Sequence, residues 1–192
     1  MKQLRGFKDV YQQWPTFQHV IDRSKPVLEG TYGFKRLLQN VVEREQVFSR
    51  TLGSDSDIVQ KEMYRFKDLG KNELVLRPEG TAGAMRFVLG EPELLHQIEK
   101  DPLRMWYWGP MFRYERPQAG RLRQFYQLGV EMVGGASDSG SVVLKDYEAI
   151  TSACDILDLI FEHRVNFTVN VNNLGSRESI KLYNAELLQV LK

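Results

Sequence analysis

The spacing of hydrophobic residues predicts helices towards both ends of the chain. Hydrophobic side chains recur at helical intervals in residues 15–29, in residues 142–163 and from Ser176 onwards. Pro26 lies inside the first of these ranges, where a proline removes a main-chain hydrogen bond and costs about 3 kcal/mol. We therefore expect the first helix to kink or break at Pro26. A further helix is predicted to open at Thr81.

The middle of the chain shows strand patterns. Residues 63–66 and 74–76 are typical of two strands joined by the turn-forming residues 68–72. Residues 104–115 and 124–133 predict two longer strands joined by a basic loop that contains proline and glycine. Because these strand pairs have local connections and helices lie between them, we predict an α+β fold with a mostly antiparallel sheet flanked by helices.

Shorter segments complete this prediction. Residues 34–42 are predicted to be extended, and residues 165–171 to form a further strand. Residues 53–57 are predicted to be a polar loop, and Glu91 and Glu93, on either side of a proline, are also predicted to lie in a loop.

Composition limits the classes of protein to consider. The chain has 192 residues, enough for one large domain, and a net charge of +1, so no strong overall field attracts it to nucleic acid. Cys154 is the single cysteine, which excludes an internal disulfide and suits a reducing compartment. The sequence shows no secretory signal and no apolar run of about 18 residues. We expect a soluble cytoplasmic protein without a membrane span.

The two longer strands carry the candidate chemistry. Alternation places Arg113 and Glu115 on one face of the first strand, and Gln127 and Glu131 on one face of the second. An arginine-rich hairpin that faces a carboxylate can hold a polyphosphate near an amino group. The alternative is a solvated hairpin with a basic tip. No metal-ligand pattern accompanies these residues, and the three histidines are scattered.

Four ordered segments resemble one enzyme family. The strand–loop–strand run from Gly109 to Glu131 resembles motif 2 of the class II aminoacyl-tRNA synthetases, and in detail that of the histidyl-tRNA synthetases. Residues 77–83 are similar to the loop by which that family holds its amino acid. Residues 5–9 resemble its opening segment, and residues 172–176 a segment after the core.

The resemblance implies a role for each matched residue. Arg113 would be catalytic, because it would hold the ATP α-phosphate and the histidine carboxylate and offset charge in the transition state. Glu115 would face the adenine amino group, and the loop arginines would face the outer phosphates and the tRNA acceptor end. The residues implied for histidine binding are Glu79, Gly80, Thr81, Arg113, Gln127 and Glu131. The residues implied for ATP binding are Arg113, Glu115, Arg121 and Arg123.

The resemblance also implies substrates and an assembly. The substrates would be histidine, ATP with Mg²⁺ and tRNA(His), with no metal ligands from the chain itself. Residues 34–42 would form a homodimer interface, although Asn40 stands where the family has a proline and residues 141–143 replace its Asp-x-Glu. Residues 1–192 would form one catalytic core that stops before motif 3 and lacks an anticodon-binding domain. We therefore expect this chain alone to show little or no histidine-dependent ATP–pyrophosphate exchange.

A second interpretation comes from a different functional class. A non-catalytic paralogue, such as the regulatory subunit of ATP phosphoribosyltransferase, would share the fold and could bind histidine or a partner protein. The retained Arg113 and Glu115 favour the enzyme, because a regulator need not keep a hairpin that binds ATP.

Overall fold

The N-terminal helix ends where the sequence places its proline. The structure is a computed structural model that describes residues 2–52, 59, 62–172 and 175–190. Helix α1 (Trp14–Lys25) is followed directly by a π-helical turn (Pro26–Thr31), in which Pro26 keeps an ordinary helical φ of −60°. The α-helical hydrogen-bond pattern therefore stops at Pro26, as predicted.

The remaining elements alternate between short strands and helices, and two long strands lie in the middle. In chain order they are β1 (Lys35–Arg36), β2 (Val42–Arg44), α2 (Glu45–Leu52), β3 (Tyr64–Lys67), β4 (Glu73–Leu76), α3 (Thr81–Gly90), α4 (Pro92–Ile98), β5 (Leu103–Phe112), β6 (Gln124–Val133), α5 (Ser139–Ile160) and α6 (Arg177–Val190).

The described strands form two three-stranded sheets. One has the order β1-β5-β6 and the other β2-β4-β3. Of the described pairs, only β1 and β5 are parallel, so the prediction of a mostly antiparallel α+β fold is confirmed. In the long β5–β6 pair, Met105 lies opposite Glu131 and Gly109 lies opposite Gln127. This register sets which side chains meet on each face of the sheet.

Strand β5 runs through the hydrophobic core. Trp106 is fully buried with Leu28 and Phe34 on one side of the strand, while Met105 packs with Val88 on the other. Burying such a side chain contributes roughly 1.5–3 kcal/mol. Packing in the core therefore holds strand β5 in place, and it also fixes the positions of the residues at the end of this strand. No helix in the described part of the chain has both the length and the hydrophobicity needed to cross a membrane.

Three details differ from the sequence prediction. The loop predicted around Glu91 and Glu93 is wrong, because Pro92 opens the short helix α4, a position that tolerates proline. The strand predicted at 165–171 is also wrong, since no described strand pairs with these residues and they have no regular structure. Strand β5 ends at Phe112 rather than at residue 115, and the main-chain N–H of Tyr114 turns away from β6 to donate to Glu62 O at 2.6 Å. The loop predicted at 53–57 lies outside the described residues.

Candidate active site

A buried tyrosine organises one face of the β5–β6 pair. Tyr107 is 4% exposed, and its ring packs closely against two glycines. A Cβ added at Gly80 would lie 2.2 Å from the ring, and a Cβ added at Gly129 would lie 2.3 Å from it. Neither glycine has a positive φ, so space rather than backbone conformation requires them.

Glu131 joins strand β6 to the loop before α3. Its Oε1 accepts a hydrogen bond of 2.7 Å from the Thr81 hydroxyl and a longer one of 3.3 Å from the Tyr107 hydroxyl. Burial raises the pKa of Glu131, and the two hydroxyl hydrogen bonds partly oppose that shift. The hydrogen bond between residues 81 and 131 brings the predicted amino-acid loop onto the predicted returning strand.

Glu79 caps the start of helix α3. Its Oε2 accepts 2.6 Å from the main-chain N–H of Thr81, and its Oε1 accepts 2.8 Å from that of Ala82. These amides have no partner within the helix, and the helix dipole favours a carboxylate there. Each carboxylate oxygen keeps a further lone pair. Glu79 can therefore hold the start of the helix and still accept a hydrogen bond from a ligand.

Gln127 presents a buried acceptor on the same face as Glu131. Its Oε1 is buried and has no hydrogen-bond partner among the described residues. A buried acceptor without a partner costs roughly 1–3 kcal/mol. A ligand that donates a hydrogen bond would remove this cost.

Arg113 follows β5 and lies between the two halves of the candidate site. Its Nε donates 2.9 Å to the main-chain oxygen of Pro78, and its guanidinium lies 5.2 Å from the centre of the Phe125 ring. Its Nη1 is 3.9 Å from Glu115 Oε1. Arg113 thus contacts the start of the loop that carries Glu79 as well as the carboxylate predicted to face adenine.

A concavity lies beyond Arg113. It has a volume of about 410 Å³ and is lined by Arg113, Glu115, Gly120, Arg121, Leu122, Phe125 and Tyr126. Arg121 Nη1 donates 3.3 Å to Glu115 Oε2, so two arginines share one carboxylate here.

Arg123 differs from the other predicted ATP ligands, because it is not among the residues that line the concavity. It lies 3.9 Å from the Tyr114 ring centre and donates 3.1 Å to the main-chain oxygen of Glu115. The main-chain N–H of Arg123 donates a hydrogen bond of 2.7 Å to the main-chain oxygen of Gly6. In this structure Arg123 ties the N-terminal segment to the hairpin.

The structure therefore brings most of the predicted site residues together. Glu79, Gly80, Thr81, Gln127 and Glu131 form the half that we call the loop–β6 cluster. Arg113 connects this cluster to the concavity with Glu115 and Arg121. Among the described residues no three His, Cys, Asp or Glu side chains converge on a possible metal position.

Sequence reasoning assigns no role to Tyr107 or Gln39, and it includes Arg77 only within the matched residues 77–83, without a role of its own. Arg77 is 5% exposed, and Gln39 Nε2 donates 2.7 Å to the main-chain oxygen of Gly80. The available signal was the glycines at 109 and 129, inside strands, since an isolated glycine in a strand marks the close approach of another group.

Comparison with known proteins identifies the family. Residues 6–177 match the sequence model of the histidyl-tRNA synthetase family. The histidine–tRNA ligase of Thermosipho melanesiensis is 37% identical over 186 residues, which cover 97% of this chain and 42% of that protein. This chain therefore spans about two fifths of the length of that relative.

Solved structures agree with this assignment. The crystal structure of apo S. aureus histidyl-tRNA synthetase matches 81% of this chain and 34% of its own with a TM-score of 0.59 and 30% identity. A Bacillus halodurans protein described as an ATP phosphoribosyltransferase regulatory subunit/histidyl-tRNA synthetase matches 81% of this chain and 38% of its own, with a TM-score of 0.61. At 23% identity, that match shows the fold alone. The family match extends over residues 6–177 of this chain and includes the residues of the candidate site. The chain therefore belongs to the histidyl-tRNA synthetase family.

Proposed function

We propose that this chain supplies the histidine pocket and part of the ATP site of an enzyme that activates histidine and transfers it to tRNA(His). The observation that carries this proposal is the 2.7 Å hydrogen bond between Thr81 and Glu131. On the same face of β6, Gln127 Oε1 is buried and has no hydrogen-bond partner among the described residues. A half-buried carboxylate, a hydroxyl and a free acceptor suit a ligand that carries both an ammonium group and an imidazole.

Histidine would be recognised by donors and acceptors of matching polarity. Glu131 accepts both of its hydrogen bonds on Oε1, which leaves Oε2 to accept from the imidazole. Gln127 Oε1, Glu79 and the Thr81 hydroxyl would accept from the α-ammonium group. A site whose buried polar groups need these partners rejects an analogue that lacks them.

Activation would take place between the loop–β6 cluster and the concavity. A carboxylate oxygen of histidine forms a bond to the α-phosphorus of MgATP, while the bond from that phosphorus to the bridging oxygen breaks and pyrophosphate leaves. Arg113 would neutralise the charge that develops on the α-phosphoryl oxygens. Arg121 would exchange its contact with Glu115 for the outer phosphates, and Glu115 would then be free for the adenine amino group.

The regulatory alternative is less well supported. A histidine-binding regulator needs the loop–β6 cluster, but it has no use for arginines around the concavity beyond Arg113. Arg113 and Arg121 both contact Glu115 at the wall of that concavity. We propose the enzyme on this ground, with the reaction in the cytoplasm.

We also propose a homodimer through residues 34–42. Strand β1 lies at the edge of its sheet, and Leu38, just after it, is 86% exposed. Val41 and Val42 are 37% and 42% exposed. A two-fold contact between two copies of this segment would cover the apolar side chains and the open strand edge.

The proposed activity is tested by histidine-dependent ATP–pyrophosphate exchange with the complete product of the gene that encodes this chain. We expect exchange in the wild type and a loss of roughly 100-fold or more in Arg113→Ala, the range seen when one transition-state donor is removed. Arg23→Ala is the matched control, because Arg23 makes an exposed ion pair with Glu162 far along the chain. Histidine binding without exchange in the wild type would favour the regulator instead.

A further inference from the structure

Arg77 is a buried cation with an unusual set of partners. It is 5% exposed, and its guanidinium donates to three main-chain oxygens. Nε lies 2.9 Å from Pro110 O, while Nη1 lies 3.1 Å from Gln39 O and 3.3 Å from Asn40 O. No carboxylate of a described residue forms an ion pair with it. Desolvation lowers the pKa of Arg77, so the fold holds this charge at a cost.

The surrounding backbone is shaped around this guanidinium. A Cβ at Gly109 would lie 2.2 Å from Arg77 Nη2, so the glycine leaves the space that the side chain occupies. The main chain of Arg77 also connects separate elements: its N–H donates 3.0 Å to Val41 O, and its carbonyl accepts 3.0 Å from the N–H of Phe112. Arg77 therefore links the end of β4 to the end of β5 and to the segment before β2.

The residues that follow Arg77 carry the candidate histidine site. The carbonyl oxygen of Pro78 accepts a hydrogen bond of 2.9 Å from Arg113 Nε. Gln39, whose carbonyl is bound by Arg77, also donates its side-chain amide to Gly80 O at 2.7 Å. The position of loop 78–81 relative to Arg113 therefore depends on contacts that meet at Arg77.

We propose that Arg77 is a positioning residue that sets loop 78–81 and Arg113 in register for the activation of histidine. This inference rests on the proposed function. The planar guanidinium presents five donors in a fixed fork, which can hold three carbonyls from two segments at once. A lysine ammonium at the same place keeps the charge, but its single nitrogen cannot reach all three oxygens.

The first test is kinetic and uses the complete gene product. In Arg77→Lys we expect kcat for histidine-dependent exchange to fall roughly 100-fold, since a shift of about 1 Å in a catalytic group can cost that much. The KM for ATP should change much less, because the concavity is lined by other residues. A kcat within about threefold of the wild type would overturn the proposal.

Arg86→Lys is the matched control. Arg86 lies in α3, and its guanidinium bonds the Glu43 carboxylate at 2.8–2.9 Å. A lysine ammonium can also meet a carboxylate, so the same substitution should leave kcat close to that of the wild type. If Arg86→Lys reduces kcat as much as Arg77→Lys, the effect is not specific to Arg77 and the proposal is overturned.

The second test does not depend on activity. The amides of Thr81 and Ala82 bond the Glu79 carboxylate, and their hydrogen exchange reports the order of the loop. We expect faster exchange at these two amides in Arg77→Lys, and also in Gly109→Ala, which displaces the guanidinium while it leaves Arg77 in place. The amides in the middle of β5 should stay protected.

The outcomes separate the two proposals. A wild type without exchange activity refutes the proposed function, and the hydrogen-exchange result still decides the role of Arg77. Unchanged protection at Thr81 and Ala82 overturns the positioning role. Equal loss of protection along β5 also overturns it, because Arg77 would then stabilise the whole fold rather than the loop.

Discussion

The two-glycine contact around Tyr107 makes a quantitative prediction for Gly129→Ala. The added Cβ would lie 2.3 Å from Tyr107 Cζ and 2.4 Å from its hydroxyl oxygen, whereas carbon atoms in contact are normally about 3.5–4.0 Å apart. Gly80 also packs closely against this ring, since a Cβ added there would lie 2.2 Å from it, and Tyr107 is only 4% exposed. The substitution must therefore displace the buried ring or the backbone of β6.

The expected cost follows from the size of this overlap. Inserting a methyl group into a filled core costs typically 1–3 kcal/mol. In a chain of this length, each 1 kcal/mol lowers the melting temperature by about 2–4 °C. We therefore expect Gly129→Ala to lower Tm by roughly 2–12 °C in thermal unfolding followed by circular dichroism.

Two further variants decide whether the ring is the cause. Gly90→Ala is the matched control, because no atom lies within 4 Å of the Cβ added there and its φ is not positive, so its Tm should stay level or rise slightly. In a Tyr107→Leu background the cost of Gly129→Ala should fall by about 1–3 kcal/mol, the coupling expected of residues in contact. A Tm within about 1 °C of the wild type for Gly129→Ala, or an equal cost in both backgrounds, would show that the Tyr107 ring does not oppose a side chain at position 129.

Three further predictions concern the site and the assembly. Burial raises the pKa of Glu131, so the native state binds its proton more tightly than the unfolded state does, and wild-type stability falls as pH rises through the native pKa. Glu131→Gln should therefore raise the urea midpoint at pH 7, and this gain should vanish at pH values below the ordinary carboxyl pKa of about 4.3; a gain that persists there contradicts the cause given. Glu131→Ala should weaken histidine binding, measured by calorimetry, by roughly 10- to 150-fold, the loss of one charge-assisted hydrogen bond, and unchanged binding would remove Glu131 from the pocket. Leu38→Glu should shift sedimentation towards the monomer while Leu69→Glu, at a fully exposed turn position, should not; equal sedimentation of both variants would argue against the interface.

Local patterns were enough to predict most of the fold. The hairpin of β3 and β4, the long β5–β6 pair and helix α5 all follow from hydrophobic periodicity, because each one buries a face against a sequence neighbour or against β5. Residues 165–171 have the same alternation but no described strand beside them. Periodicity shows that a segment can pair and does not show whether a partner is present.

The candidate site was predictable in its members but not in its connections. The family resemblance selects Glu79, Thr81, Gln127 and Glu131, and the structure brings them together. The family resemblance could not show that both oxygens of Glu79 accept hydrogen bonds from the start of α3. It also could not show that Arg123 lies against Tyr114 rather than in the concavity. These contacts depend on three-dimensional packing between distant segments, which spacing along the chain does not encode.

The fit between Arg77 and Gly109 also restricts the order in which mutations can accumulate in this gene. Any side chain at position 109 meets the guanidinium at 2.2 Å, so a substitution there is harmful while Arg77 remains. Loss of Arg77 first would leave three main-chain oxygens without the guanidinium that donates to them, and one of these oxygens belongs to the buried Gln39. Each single step is therefore worse than the starting pair, and selection should keep or replace the two residues together. In a set of homologous sequences, positions 77 and 109 should covary although they lie 32 positions apart in the chain.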